Sequence, residues 1–281
     1  DLHVRSRRQR QMCIRDRTRG DIYRTEDGGI SWNKELGGPN NSYYQYTDVE
    51  VTTSGVVYAT LSSENTQKGI WRSSDGLTWK NITDSLFAPN YSRVEIGIDP
   101  SNENIVYFIA AETNNFGQYS ETFFNGSTWT SLWKYEYVSG DGSGNGGVWT
   151  DLSDNIPAGN SSSFDNFNAQ GSYDLLVSVH PSDPNLIIIG GTNLWRSTDG
   201  FTSDSNTTII GGYLPGSREG DGHWGSYTDH HPDQHEIIYY PSNDSILLNG
   251  NDGGIYKTEN VYENNVSWTS LNNGYNTTQL Y

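Results

Sequence analysis

One short stretch of this sequence concentrates side chains that can exchange protons. Asp229, His230, His231, Asp233 and His235 all lie within residues 229–235. Imidazole and carboxyl groups act as general acids and bases, and they also donate and accept hydrogen bonds to ligands. The stretch is therefore the first candidate for a functional site.

A second candidate is Asp252, which precedes Gly253 and Gly254. An Asp before glycine is a normal signal for a hairpin turn, so Asp252 either shapes a turn or serves a ligand, and both readings stay open. If the site is catalytic, Asp252 and Asp233 are the expected pair of carboxylates. The expected ligand-binding residues are Asp229, His230, His231, His235, Trp224 and Tyr227.

The same histidines and carboxylates have the chemistry of a divalent metal site. Their spacing matches no known metal motif, so we expect no metal and no cofactor. The aromatic residues Trp224 and Tyr227 could stack on sugar rings, although aromatic side chains also fill hydrophobic cores. Packing and hydrogen bonding are thus the alternative role for the whole cluster.

Repeats indicate which elements position these residues. An apolar residue, an aromatic residue, a basic residue and usually Ser or Thr recur in order at near-regular intervals. The tetrads are Ile22-Tyr23-Arg24-Thr25, Ile70-Trp71-Arg72-Ser73, Leu132-Trp133-Lys134-Tyr135, Leu194-Trp195-Arg196-Ser197 and Ile255-Tyr256-Lys257-Thr258. Recurrence of this kind is typical of a repeat architecture.

A turn rich in Pro, Ser and Asn precedes the later tetrads, as in Asp99-Pro100-Ser101-Asn102, and a run of β-branched residues follows it. Each unit therefore predicts four short strands, with the tetrad as strand three. Radially arranged four-stranded units form a β-propeller. We predict an all-β fold, a β-propeller fragment of about five blades spanning residues 18–281 and cut at both ends.

An acidic, glycine-containing turn follows most tetrads. In such a turn, the Asp carboxylate and the Ser or Thr hydroxyl can accept backbone N–H groups, and glycine permits positive φ. A Trp at the end of the turn could wedge between blades. The expected structural residues are Thr25, Asp27, Gly29, Ser31 and Trp32; Ser73, Asp75, Gly76, Thr78 and Trp79; and Ser197, Asp199, Gly200 and Thr202.

These turns resemble the Asp-box, or BNR repeat, of sialidases, xyloglucanases and sortilin-type receptors. Residues 25–32 match the pattern Ser/Thr-x-Asp-x-Gly-x-Thr/Ser-Trp at every position, and the copies at Ser73 and Ser197 depart from it by a deletion or a lost Trp. The segments "YDLLVSVHPSDPNLIIIGGTNLWRSTDG" and "HHPDQHEIIYYPSNDSILLNGNDGGIYKT" resemble sortilin-like propellers, often labelled glycosyl hydrolases, that marine Bacteroidetes export. That resemblance implies secretion, with the fragment lacking its signal peptide.

The propeller topology implies that the candidate residues meet. Turns between strands two and three, and loops between strands four and one, lie on one face. Residues 229–235 immediately precede a strand one, and Asp252 joins strands two and three of the same blade. We therefore expect the cluster and Asp252 to share the face that carries the long loops.

Residues 1–17 differ from the rest of the chain. They hold the only Cys, the only Met and six of the 17 Lys and Arg residues, in a chain with 34 acidic residues. Arg7 to Arg17 can be back-translated into a sequence that resembles a transposase-type sequencing adapter. We interpret residues 1–17 as an adapter-derived artefact of a metagenomic assembly.

The remaining acidic chain is expected to repel nucleic acid, and no apolar run reaches the length of a membrane span. We expect an extracellular or cell-surface monomer that acts as a binding or scaffolding module for a glycan or peptide. The alternative is a glycoside hydrolase resembling xyloglucanases. That family has a Thr-Asp-x-Gly-Gly-x-Tyr turn, and the turn at Asp252 resembles it with one residue missing. A sialidase is disfavoured because Arg24, Arg72 and Arg196 recur too regularly for an arginine triad; we expect them to form rim salt bridges.

Overall fold

The structure, a computed structural model, describes residues 13–14 (backbone only), 20–38, 46–122, 126–159, 164–216 and 225–274. The described residues form five antiparallel sheets. The last residues of the predicted propeller fragment, 275–281, lie outside the described residues. None of the described helices is long and apolar enough to cross a membrane.

The first three sheets come from the N-terminal half of the chain. The first sheet contains, in order, β1 (Cys13–Ile14), β2 (Ile22–Thr25) and β3 (Asn33–Leu36). The second sheet contains, in order, β4 (Thr47–Val51), β5 (Val57–Leu61), β6 (Gly69–Ser73) and β7 (Lys80–Asn81). The third contains β8 (Val94–Ile98), β9 (Ile105–Ala111), β10 (Gln118–Thr122), β11 (Gly126–Tyr137) and β12 (Gly147–Asp151), and both β10 and β12 pair with β11.

The last two sheets each follow chain order. The fourth contains β13 (Leu176–Val179), β14 (Ile187–Gly190), β15 (Leu194–Ser197) and β16 (Thr207–Gly211), and the fifth contains β17 (Gln234–Tyr240), β18 (Asn243–Asn251), β19 (Gly254–Thr258) and β20 (Thr269–Ser270). Short 3₁₀ turns cover Gly144–Gly146 and Ser153–Asn155. Consecutive four-stranded antiparallel sheets are propeller blades, so the predicted all-β propeller class is confirmed.

The tetrads occupy the predicted third strands. They lie in β2, β6, β11, β15 and β19, each in a middle position of its sheet. The extra strand β10 was not predicted, and it lengthens the third sheet at the edge beyond β11. β1 lies in the segment interpreted as adapter-derived and pairs antiparallel with β2.

The chain divides into two compact units. One comprises Asp1–Gly117 with Trp129–Ser153, and the other comprises Gln118–Thr128 with Asp154–Tyr281. In the first unit, apolar side chains of the second and third sheets meet, with Tyr58 edge-on to Phe108 at 6.5 Å between ring centroids. In the second unit, the fourth and fifth sheets bury a shared core that includes Leu194, Leu247 and Trp268.

The recurring arginines do not share one kind of partner. Arg24 forms ion pairs with Glu26 and Glu35, as expected for a rim salt bridge. Arg196 instead donates to backbone carbonyl oxygens, and Arg72 packs on aromatic rings. The prediction of rim salt bridges is therefore wrong for Arg72 and Arg196. Arg196 faces backbone carbonyl oxygens and Arg72 faces tyrosine rings, and neither faces a carboxylate.

Candidate functional site

The candidate site lies in the second unit, where β17 begins and β18 ends. Because these strands are antiparallel neighbours, the start of one lies beside the end of the other, and Gln234 pairs with Asn251. The backbone N–H of Asp252 donates to the carbonyl oxygen of Asp233 at 3.2 Å. The sheet register thus brings the two predicted catalytic carboxylates to the same end of the blade.

The turn between β18 and β19 is built for close approach. A Cβ added to Gly253 would lie 2.5 Å from Cβ of His231, so only glycine fits beside that histidine. The N–H of Gly253 donates to the side-chain oxygen of Asn251 at 3.0 Å. These contacts hold Asp252 at the tip of the β18–β19 turn, and its side chain is directed to a neighbouring strand.

His235 is that neighbour. Its Nε2 lies 2.6 Å from Oδ1 of Asp252, and its Nδ1 lies 3.8 Å from Oδ1 of Asp174. The His235 side chain is 33% exposed and the Asp252 side chain is 28% exposed, so ligands can reach the pair. The imidazole is held between two carboxyl groups, one at the surface and one buried.

Asp174 is the buried carboxyl group, and the sequence analysis did not identify it. It lies two residues before β13, is fully buried, and donates its backbone N–H to the carbonyl oxygen of Ala169 at 3.1 Å. Its carboxyl group interacts with that of Asp233. One sequence feature could have identified Asp174 as a site residue: Asp174 and Asp233 both lie just before the first strand of a blade.

The environment of Asp233 favours its protonated form. Burial raises the pKa of Asp233, and the negative charge of Asp252 raises it further, against opposing effects of Asp174, His231 and His235. Two neighbouring carboxyl groups repel when both are ionised, so the charge of Asp252 favours the protonated form of Asp233. The site therefore places Asp233, a carboxyl group with a raised pKa, beside Asp252, which accepts a hydrogen bond from the His235 imidazole.

Aromatic rings line this group of carboxyls. The ring of Tyr173 meets His235 edge-on, with centroids 5.3 Å apart. Burial and the nearby charges of Asp233 and Asp174 raise the pKa of Tyr213 to about 12, so its hydroxyl stays neutral. Tyr213 also stacks against Phe164 at 4.2 Å between centroids. Sequence reasoning missed both tyrosines, since neither lies near residues 229–235 in the chain.

His230 is a correction to the predicted ligand-binding set. It is only 4% exposed, its Nδ1 accepts the N–H of Gly212 at 2.9 Å, and its ring packs 4.3 Å from that of Trp268. Burial lowers the pKa of His230 to about 3, which keeps the imidazole neutral. His230 therefore serves the core rather than a ligand.

Asp229 and His231 lie in the loop that leads into β17. Asp229 is exposed at a positive φ of 53°, and its charge contributes to the raised pKa of Tyr256 after burial. His231 is partly exposed, and Tyr227 packs against the core of the second unit. Trp224 lies outside the described residues. Within the described ranges, no three His, Cys, Asp or Glu side chains are grouped so that they could hold a metal ion.

The acidic turns use their carboxylates for local structure. Oδ1 of Asp27 accepts the Ser31 N–H at 2.9 Å, and Oδ1 of Asp75 accepts the Thr78 N–H at 2.7 Å. Hydroxyl groups complete these networks: Gly29 donates to Thr25, Gly76 donates to Ser73, and Phe201 donates to Ser197. Trp32 is 41% exposed rather than wedged between sheets.

Several proteins of known structure are similar to this chain. The chain is similar to the GH74 enzyme of Niastella koreensis, with 18% identity and a TM-score of 0.52, over 92% of this chain and 37% of that one. It is also similar to YCF48 from Cyanidioschyzon merolae, with 14% identity and a TM-score of 0.44, over 84% of this chain and 62% of that one. A YCF48 bound to D1 peptide gives 12% identity and a TM-score of 0.43, over 88% and 60% of the two chains.

The first of these likenesses supports the propeller fold. This chain spans little more than a third of the GH74 enzyme, and the identity is too low to transfer an activity. No protein-family model matches the sequence, and no curated protein matches it.

Proposed function

We propose that this chain is an extracellular glycan-binding module whose ligand contacts the Asp252–His235 pair. The observation that carries the proposal is the 2.6 Å hydrogen bond between these two partly exposed side chains. It fixes Oδ1 of Asp252, while Oδ2 makes no hydrogen bond with any described residue. A fixed carboxylate with one oxygen directed to solvent is an acceptor for a ligand hydroxyl.

The surroundings favour a neutral, hydroxyl-rich ligand. Asp174, Asp233 and Asp252 lie close together, so an anionic group would meet like charge. The ring of Tyr173 beside His235 supplies an apolar face next to the polar pair. Saccharides present the same combination of apolar ring faces and hydroxyl groups, and tyrosine, with its apolar ring and polar tip, suits such surfaces.

Titration of the full chain with soluble neutral polysaccharides tests the proposal. We expect xyloglucan or a mixed β-glucan to bind, and we expect His235→Ala and Tyr173→Ala to weaken binding while leaving the unfolding transition in place. Binding of peptides with no binding of any glycan would overturn the proposal. If both variants keep the affinity of the wild type, the glycan does not bind at this end of the fifth sheet.

A second candidate function is glycoside hydrolysis, and one observation favours it. Asp233 has a raised pKa, and Asp252 lies beside it with a hydrogen bond to His235. Glycosidases use one carboxyl group that keeps its proton to protonate the leaving oxygen, and a second, ionised one as base or nucleophile. In this scheme Asp233 donates the proton and Asp252 activates water or attacks the sugar.

Release of reducing ends distinguishes the two functions. For a hydrolase, we expect turnover that Asp252→Asn and Asp233→Asn both abolish in folded protein. For a binding module, we expect a bound polysaccharide whose chain length stays unchanged after prolonged incubation. Turnover that survives in Asp252→Asn would exclude the catalytic assignment.

A further inference from the structure

A polar cleft in the first unit lies far along the chain from the Asp252 site. Its volume is about 360 Å³, and its walls are the turn between β4 and β5, residues 52–56, and the turn between β8 and β9, residues 100–104. A space of this size falls within the range of small-ligand sites. Tyr58 and Arg72 form its inner lining.

Arg72 is a buried cation with no anionic partner in the described part of the chain. It is 7% exposed, and its Nε is buried without a hydrogen-bond partner. The guanidinium carbon lies 4.0 Å from the centroid of the Tyr137 ring and 5.9 Å from that of Tyr58. Burial raises the pKa of the Tyr58 hydroxyl although Arg72 opposes the shift, so this neighbour is neutral.

The equivalent arginines provide an internal comparison. Arg24 and Arg196 occupy the same tetrad position in other sheets, and both have oxygen partners within the chain. Arg72 instead stacks on aromatic rings and shares a hydrogen bond with the neutral Tyr58 hydroxyl, so neither contact supplies the negative charge that a planar guanidinium pairs with best. A buried cation is costly without a counter-charge, so a ligand carboxylate would complete the site.

The remaining walls are suited to hydroxyl groups. Glu103 is the acidic residue of the cleft, and its two oxygens accept the backbone N–H of Thr53 at 2.6 Å and its hydroxyl at 2.8 Å. The exposed side chains of Ser101 and Asn104 line the opening. The cleft thus offers one cation, one carboxylate already held in place, and several neutral polar groups.

We propose that this cleft binds a uronic acid residue of an acidic polysaccharide, with the sugar carboxylate against Arg72 and sugar hydroxyls against Glu103 and Asn104. The charge of Glu103 disfavours a second carboxylate inside the cleft and suits a single sugar ring that carries one carboxylate and several hydroxyl groups. This site is independent of the proposed function at Asp252, because no residue is shared.

The test is titration of the full chain with an oligogalacturonate and with its methyl ester, which removes the charge and keeps the ring. We expect the acid to bind and the ester to bind about tenfold or more weakly, because a charge-assisted pair is lost. Arg72→Gln should reduce affinity for the acid by a similar factor. Lys80→Gln, which removes an exposed cation from the same sheet, should leave it unchanged.

A second variant tests the cleft without a change in the core, and it replaces Arg72→Gln if that protein does not fold. Asn104→Trp fills the opening from an exposed turn, and we expect it to abolish binding of the acid. The proposal is overturned if the ester binds as well as the acid, if Asn104→Trp binds normally, or if an acidic peptide or inorganic sulfate binds as tightly as the oligogalacturonate. Binding that persists in His235→Ala separates this cleft from the other site.

Discussion

Nε2 of His235 lies 2.6 Å from Oδ1 of Asp252, so a side chain on β17 and a side chain in the β18–β19 turn act as one group. Neither residue could hold this geometry alone. The imidazole fixes the rotamer of the carboxylate, and Asp174 lies 3.8 Å from the other ring nitrogen.

The first prediction concerns that pair. His235→Ala should weaken binding of the neutral polysaccharide by about tenfold, because a hydrogen bond to a charged group contributes about 1.5–3 kcal/mol. Calorimetric titration measures the effect. Glu259→Gln is the matched control, since it removes a carboxylate that is 72% exposed at the opposite end of β19. Equal losses in both variants would contradict a specific role for His235.

The second prediction concerns Asp233. A raised pKa means that the folded state retains a proton that the unfolded chain has lost, so the contribution to stability falls as pH rises from about 3.9 toward the folded pKa. Asp233→Asn cannot ionise, and its amide oxygen can still accept a hydrogen bond from the Asp174 carboxyl group. We expect its melting temperature to exceed that of the wild type at pH 7 by about 2–4 °C, with a smaller gain at pH 4.

Thermal unfolding from pH 4 to pH 8 measures this difference. Asp229→Asn is the control, because Asp229 is an exposed carboxylate in the same loop. A variant Asp233→Asn that is less stable than the wild type at pH 7 and equal to it at pH 4 would show the opposite sign. That outcome would mean that Asp233 is ionised in the folded protein.

The third prediction concerns His230, whose pKa is lowered to about 3 by burial. As pH falls below about 6.5, His230 becomes protonated in the unfolded chain but stays neutral in the folded chain. The free energy of unfolding therefore declines by about 1.4 kcal/mol per pH unit. His230→Phe removes this decline but leaves the Gly212 N–H without its acceptor. We expect a variant that is less stable at pH 7 and whose stability depends less on pH between 6.5 and 4.

Denaturant unfolding across that pH range measures the slope, and His231→Phe is the comparison at the adjacent, partly exposed position. If His230→Phe and the wild type lose stability in parallel on acidification, the neutral buried imidazole is not the cause. If only His231→Phe flattens the slope, the roles of the two histidines are reversed.

The fold was largely predictable from the sequence, because the residue patterns that indicate its strands are local. The tetrads, such as Leu194 to Ser197, place one aromatic and one basic residue on alternating sides of a short strand, and the repeat fixes the number of such strands. β10 was missed because Gln118–Thr122 is polar and lies outside the repeat.

The candidate site was only partly predictable, because its main contacts join distant segments. Nothing near Asp174 in sequence shows that it faces Asp233, which precedes the first strand of the next sheet. His230 was misassigned for a related reason. A histidine that accepts an N–H from Gly212 in the core has the same sequence context as one that faces a ligand, and only the packing of Trp268 distinguishes them.

The last prediction concerns the acidic turn between β15 and β16. Partial burial alone would raise the pKa of Asp199, but hydrogen bonds from Asn206, Ser203 and Ser197 lower it to about 2. The stabilisation is therefore present above about pH 3.9 and is lost as pH falls through about 2. Asp204 lies in the same turn, is exposed, and serves as the matched control.

At pH 7, Asp199→Asn should lower the free energy of unfolding by about 1 kcal/mol, a value kept small because solvent screens the turn. Asp204→Asn should change it by less than about 0.5 kcal/mol. Below about pH 2 the wild type and Asp199→Asn should converge, since the carboxyl group is then protonated in both folded and unfolded chains. Parallel unfolding curves for the two variants at pH 7 would show that Asp199 does not organise the turn, and the structural role of the other acidic turns would then need the same test at Asp75.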